Sequence, residues 1–136
     1  MEHILNIPNN VDVKENSTSY YWFDEDGILC ALNKNIKAVP YDEVVKLVED
    51  LKHLTENKKI CMLMDVTHSP SSTKEIREYT AREFPKLVKA LALVSASPVS
   101  RLLAYLFFAV VRTPFPSKMF SNEAEAKAWL KQHYLN

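Results

Sequence analysis

Residues 60–73 read Ile60-Cys61-Met62-Leu63-Met64-Asp65-Val66, then Thr67-His68-Ser69-Pro70-Ser71-Ser72-Thr73. A short unbroken apolar run suits a strand covered on both faces, because neither face then meets water. The hydroxyl-rich stretch after Asp65 reads as a loop. Ser72 and Glu75 stand at capping-box spacing, so a helix is predicted to begin near Thr73. Ile76, Tyr79, Thr80 and Phe84 would line its inner face, and Glu78 and Arg82 form an i,i+4 pair. The unit is strand, loop, helix, and the question is whether its neighbours repeat it.

They do. Downstream, Val88 to Ser95 is a second buried strand with Ala-Leu-Ala-Leu-Val at its centre. Ser97-Pro98 then starts a helix, serine as cap and proline at the first helical position, running to about Arg112. Pro114 and Pro116 end it, Lys118 to Phe120 forms a short last strand, and Asn122 caps a final helix with Ala126, Trp129, Leu130 and His133 on one face. Upstream, Pro40 opens a helix whose apolar stripe is Val44, Leu47, Val48, Leu51 and Leu54. Before it, Ser19–Phe23 and Ile28–Leu32 flank Asp26-Gly27, a pair that marks a tight hairpin because glycine accepts positive φ. The expectation is an α/β fold: a mixed, mostly parallel sheet of about five strands, an N-terminal antiparallel hairpin and four helices. Residues 1–17 read as a flexible leader or an edge strand, and 18–136 as a single domain, a size that buries its own core without disulfides or metals.

Composition excludes several functions. Gly27 is the only glycine among 136 residues, so Walker-type, dinucleotide-binding and kinase phosphate loops are not present. Seventeen Lys and Arg balance seventeen Asp and Glu, which removes the basic excess that nucleic-acid binding requires. Cys30 and Cys61 sit in apolar runs without metal-ligand spacing; they read as reduced, buried small hydrophobes, and a disulfide between them is the other reading. No cofactor or metal is implied. The N-terminus has no secretory pattern, and the longest apolar run, Leu102 to Val111, is too short to span a bilayer, so the expected compartment is the cytoplasm and the chain is not transmembrane.

Two regions are candidates for function. Asp65 ends a central strand, where open α/β sheets place ligands, and the loop with Thr67, Ser72 and Thr73 leads into a helix start that favours anions. Against that, Asp65 closes the strand end and Ser72 or Thr73 caps the helix. A triad of Asp65, His68 and Ser69 has no nucleophile-elbow sequence behind it, which leaves a hydrolase a distant third reading. The second region is the helix at Leu102–Val111, apolar on all sides; it is either buried or an interface or apolar-ligand surface presenting Tyr105, Phe107 and Phe108.

Taken together, the opening hairpin, MLMDV leading into SSTKEIREY, KALALVSASPVSRLLAYLFF and PFPSKMFSNEAEAKAWL resemble the SpoIIAA-like, or STAS-like, proteins of bacteria, over roughly Thr18 to Leu135, and within them a small uncharacterised subgroup. The resemblance implies a STAS fold and a non-enzymatic binding or regulatory module, acting through a protein partner or as a homodimer. In the family's anti-sigma factor antagonists the loop after the central strand carries a phosphorylatable serine in a D-S-S/T-G context. Here Asp65-Val66-Thr67 is followed only later by Ser71-Ser72-Thr73-Lys74, without the glycine, so the resemblance leaves Ser72 and Thr73 as the candidates. Related folds of the SEC14 type bind lipids, which implies a lipid or small apolar ligand at Tyr105, Phe107 and Phe108 as the alternative.

Overall fold

The computed structural model describes residues 2–68, 70–102 and 114–135. One six-stranded sheet carries the molecule: β1 (Lys14–Glu15), β2 (Ser19–Phe23), β3 (Leu29–Asn33), β4 (Ile60–Asp65), β5 (Val88–Val94) and β6 (Ser117–Phe120). Helices α1 (Tyr41–Leu54), α2 (Lys74–Leu87), α3 (described at 98–102) and α4 (Glu123–His133) complete the alternation. β1 pairs antiparallel with β2 and β2 with β3; every later neighbour is parallel. The sixth strand, beyond the five expected, comes from Lys14 and Glu15 pairing with Tyr21 and Tyr20.

Each strand lies beside its predecessor, in the order β1-β2-β3-β4-β5-β6. Right-handed crossovers that always step the same way put their helices on the same face. Accordingly α1 and α2 pack together on Tyr21, Leu29, Ala31, Met62 and Val88, through Val48, Leu51 and Leu87. The opposite face, with Trp22, Cys30, Leu32, Cys61, Leu63, Ala92 and Val94, is closed by Ala126 and Leu130 of α4 and by Leu5. Among the described strands the order never reverses, so the switch-point crevice that open sheets use for ligands is not formed.

Local differences from the sequence expectation have local causes. Thr73, not Ser72, caps α2: its hydroxyl accepts the Ile76 N–H at 3.2 Å. Glu78 pairs with Lys74 rather than Arg82, which meets Glu83 at 3.3 Å instead. Pro40 is the residue before α1, not its first. Leu54 is exposed because α1 ends there, the chain turning away through Glu56 and Asn57 at φ 54° and 62°. His133 is also exposed, and Tyr134 and Leu135 pack against the core in its place. Gly27 takes φ +79° in the hairpin turn, where the Asp24 carboxylate accepts the Asp26 and Ile28 N–H groups, each at 2.9 Å. Cys30 and Cys61 are buried free thiols. Burial pushes Cys30 up to about 12, and burial likewise raises Cys61.

Candidate functional site

The strand β4 ends on Asp65, 1% exposed, its side chain on the α4 side with Cys61 and Leu63. A buried carboxylate needs donors at both oxygens, and Asp65 has them. Oδ2 accepts the backbone N–H groups of Ile4 at 2.5 Å and Leu5 at 2.9 Å. Oδ1 accepts the Thr67 N–H at 3.0 Å and the Thr67 hydroxyl at 2.6 Å. Thr67 Oγ1 in turn accepts the Ala96 N–H at 3.0 Å, and Ser100 Oγ donates to the Val66 carbonyl at 3.3 Å. One carboxylate therefore joins the N-terminal segment to the loop after β4, and Thr67 carries the link on to the loop before α3.

The far end of the same loop is held from the other side. Ser71 donates both its N–H and its hydroxyl to the Lys37 carbonyl at 2.9 Å, and the Val39 N–H returns to the Ser71 carbonyl at 3.2 Å. The Ser72 carbonyl accepts from Arg77 Nη1 at 2.6 Å, and Ser71 and Thr73 are exposed. Asp65 and Thr67 are thus in direct contact, Ser72 and Thr73 sit together at the start of α2, and no described hydrogen bond joins the two pairs. The Asp65 oxygens meet Ile4, Leu5 and Thr67 but not His68, so the carboxylate does not orient that imidazole; Ser69 lies outside the described residues. Tyr105, Phe107 and Phe108 lie outside them too.

Two ion-pair clusters stand apart from the loop. Glu83, its side chain 9% exposed, takes Lys52 at 2.5 Å, Lys86 at 3.1 Å and Arg82 at 3.3 Å. The Lys52 and Lys86 hydrogen bonds hold its carboxyl down at about 2. On the other face Lys127 bridges Asp24 at 3.0 Å and Glu123 at 3.2 Å. Burial works against the Lys127 charge, yet the Asp24 hydrogen bond and the surrounding anionic groups keep it above the ordinary lysine value. Both clusters tie elements together: α1 to α2, and the hairpin turn to α4. Among the described residues no three His, Cys, Asp or Glu side chains converge as a metal site, and no helix is long and apolar enough to cross a membrane.

The feature sequence reading missed is a cleft of about 250 Å³ between the sheet and helices α1 and α2. Its walls come from Tyr21, Leu29 and Ala31 on the sheet, Leu47 on α1 and Ile76 on α2, with Asn33 at one end.

A six-stranded sheet wound in sequence order, with two helices on one face and a C-terminal helix on the other, is the SpoIIAA-like fold. The solved structure of an uncharacterized protein from the DUF3478 family with a SpoIIAA-like fold, from Shewanella loihica PV-4, aligns over 92% of this chain and 99% of its own at a TM-score of 0.56 and 14% identity. The chain belongs to the family described as Domain of unknown function (DUF7793), whose model matches residues 21–134. A protein with unknown function from Arthrobacter sp. FB24 is 24% identical, over 82% of this chain and 92% of its own, at a TM-score of 0.29. No curated protein matches.

Proposed function

We propose that this protein is a non-enzymatic binding module of the cytoplasm that regulates by contacting a protein partner through the loop after β4 and the start of α2. One observation carries the reading: the exposed Thr73 stands at the start of α2, fixed by the Ile76 N–H it accepts, two residues after Ser71 fastens the chain to the Lys37 carbonyl. A helix start held in this way presents its side chains with little freedom left to lose when a partner binds. Asp65 itself is a scaffold: all its acceptor capacity is directed at the fold. The test is a pull-down with wild type, Ser72→Asp and Thr73→Asp as bait. A partner held by wild type and lost or gained with either aspartate supports the reading; an unchanged set of partners for both sinks it.

Self-association is the second reading, favoured by Val99 and Leu102, which are 66% and 58% exposed three residues apart on α3. Residues at that spacing share a helix face. Val99→Glu with Leu102→Glu is expected to lower the mass measured by light scattering from that of a dimer to that of a monomer. A wild-type protein already monomeric at high concentration removes this reading.

A further inference from the structure

We infer that the cleft between α1, α2 and the sheet is a binding site for a small uncharged amphiphile of about ten non-hydrogen atoms, a size scaled from the ~150 Å³ cavity that holds benzene. The inference is independent of the partner surface above. A gap of about 250 Å³ is far larger than the voids a well-packed core leaves. Its lining is graded. Leu29, Leu51, Met62 and Phe84 close the inner end with apolar groups, while Thr18, Ser19 and Asn33 stand at the other.

The register explains the gradient. Ser19 pairs with Asn33 across β2 and β3, so both side chains emerge on the α1–α2 face at the polar end. Leu29 lies beside Met62 at the opposite end of the same strands. The Asn33 side-chain amide has no hydrogen-bond partner among the described residues, so it has both a donor and an acceptor to offer. Among the described residues none that lines the cleft is charged. A carboxylate or phosphate headgroup would therefore enter without a counter-charge, at a large desolvation cost. An alcohol, amide or ester would not. Met62 and Met64 supply adaptable walls that fit more than one chain shape. Val39 and Pro70 stand at the polar end, next to the Ala38–Ser71 bridge that ties the two loops together.

Titration of the whole protein with n-octanol, read on isotope-labelled methionine methyls by NMR, tests this. Met62 and Met64 are expected to shift saturably while Met119, on β6 outside the cleft, stays fixed. Octanoate of the same chain length is expected to bind at least about tenfold more weakly, because its charge finds no partner. Asn33→Ala is expected to weaken octanol about threefold to tenfold, the worth of one hydrogen bond. Ala31→Leu fills the cleft from the sheet, and Val44→Phe fills it from half-buried α1 should the first variant not fold; either, folded, is expected to abolish the Met62 and Met64 shifts. Absence of a saturable shift, equal binding of octanoate, or shifts that persist in a folded filled variant would each overturn the assignment.

Discussion

The carboxylate of Asp65 accepts the backbone N–H of Leu5, sixty residues earlier in the chain, at 2.9 Å. The contact fastens the N-terminal segment across the end of the central strand, and Leu5 itself, 1% exposed, fills the core on the α4 face. The residue best placed by sequence to hold a ligand thus holds the protein's own N-terminal segment.

Replacing Asp65 by Ala is expected to cost about 3 kcal/mol or more, since several buried or half-buried donors lose a charged acceptor at once. Urea denaturation measures the loss. Amide exchange separates its cause: Ile4 and Leu5 lose protection in the variant, whereas a purely local effect would leave them protected and spread the loss over Thr67 alone.

Thr73 and Ser72 should separate cleanly. Thr73→Ala is expected to destabilise by about 1 kcal/mol, the worth of an N-cap side chain. Ser72→Ala should stay within about 0.5 kcal/mol, as a surface substitution does, because the Ser72 group in use is its carbonyl, which the variant keeps. Equal losses from the two variants would contradict the cap the structure assigns. Thermal unfolding of both suffices.

The strand–helix alternation was legible because Ile60–Asp65 and Val88–Val94 are apolar runs of strand length, and the α1 stripe repeats at helical spacing. β1 was not: two polar residues, Lys14 and Glu15, have no period to read, and their pairing depends on Asn16 turning the chain toward Ser19. Asp65 could be placed at its strand end, but not its partners Ile4 and Leu5, because no local pattern encodes a contact across sixty residues. The same holds for Glu83, which lies at a buried position of α2 only because Lys52 on α1 reaches it. The cleft is a gap between three elements, a property of how they pack and not of any one of them.

Acid should weaken the protein through Glu83. Hydrogen bonds from Lys52 and then Lys86 lower its folded value to about 2 from the ordinary 4.5. Above that ordinary value both folded and unfolded chains carry the charge, and the ion pairs contribute in full. As pH falls, the unfolded chain takes the proton first, so stability is drawn down until the folded value is passed. The urea midpoint of wild type should therefore fall between about pH 4.5 and 2, and Glu83→Gln should flatten that part of the profile. An unchanged slope in the variant would assign the acid sensitivity to other carboxylates.

Alkali acts with the opposite sign through the cysteines. Burial first, then neighbouring acidic groups against an opposing Lys127, lifts Cys30 to about 12, and burial raises Cys61. The unfolded chain releases these protons near the ordinary value of 9.0 while the folded one keeps them, so stability falls as pH rises through that range. Native protein at pH 8 should leave both thiols unreacted with a thiol-specific reagent, and both should react once urea unfolds it. Rapid labelling of either under native conditions would show that the sheet opens locally around it.

The single glycine and the end of α1 make the last prediction a matched pair. Gly27 holds φ +79° with open space where a Cβ would stand, so Gly27→Ala meets no clash and is expected to cost only the left-handed backbone strain, about 1–2 kcal/mol. Glu56 holds φ 54° without being glycine, and its N–H donates to the His53 carbonyl at 3.3 Å as the helix terminates. Glu56→Gly relieves the same strain while adding freedom to the unfolded chain, and is expected to stabilise by a few tenths to about 1 kcal/mol. Thermal unfolding of the two variants should shift in opposite directions. A loss in both would mean that the Glu56 side chain contributes more to the α1 terminus than its backbone conformation costs.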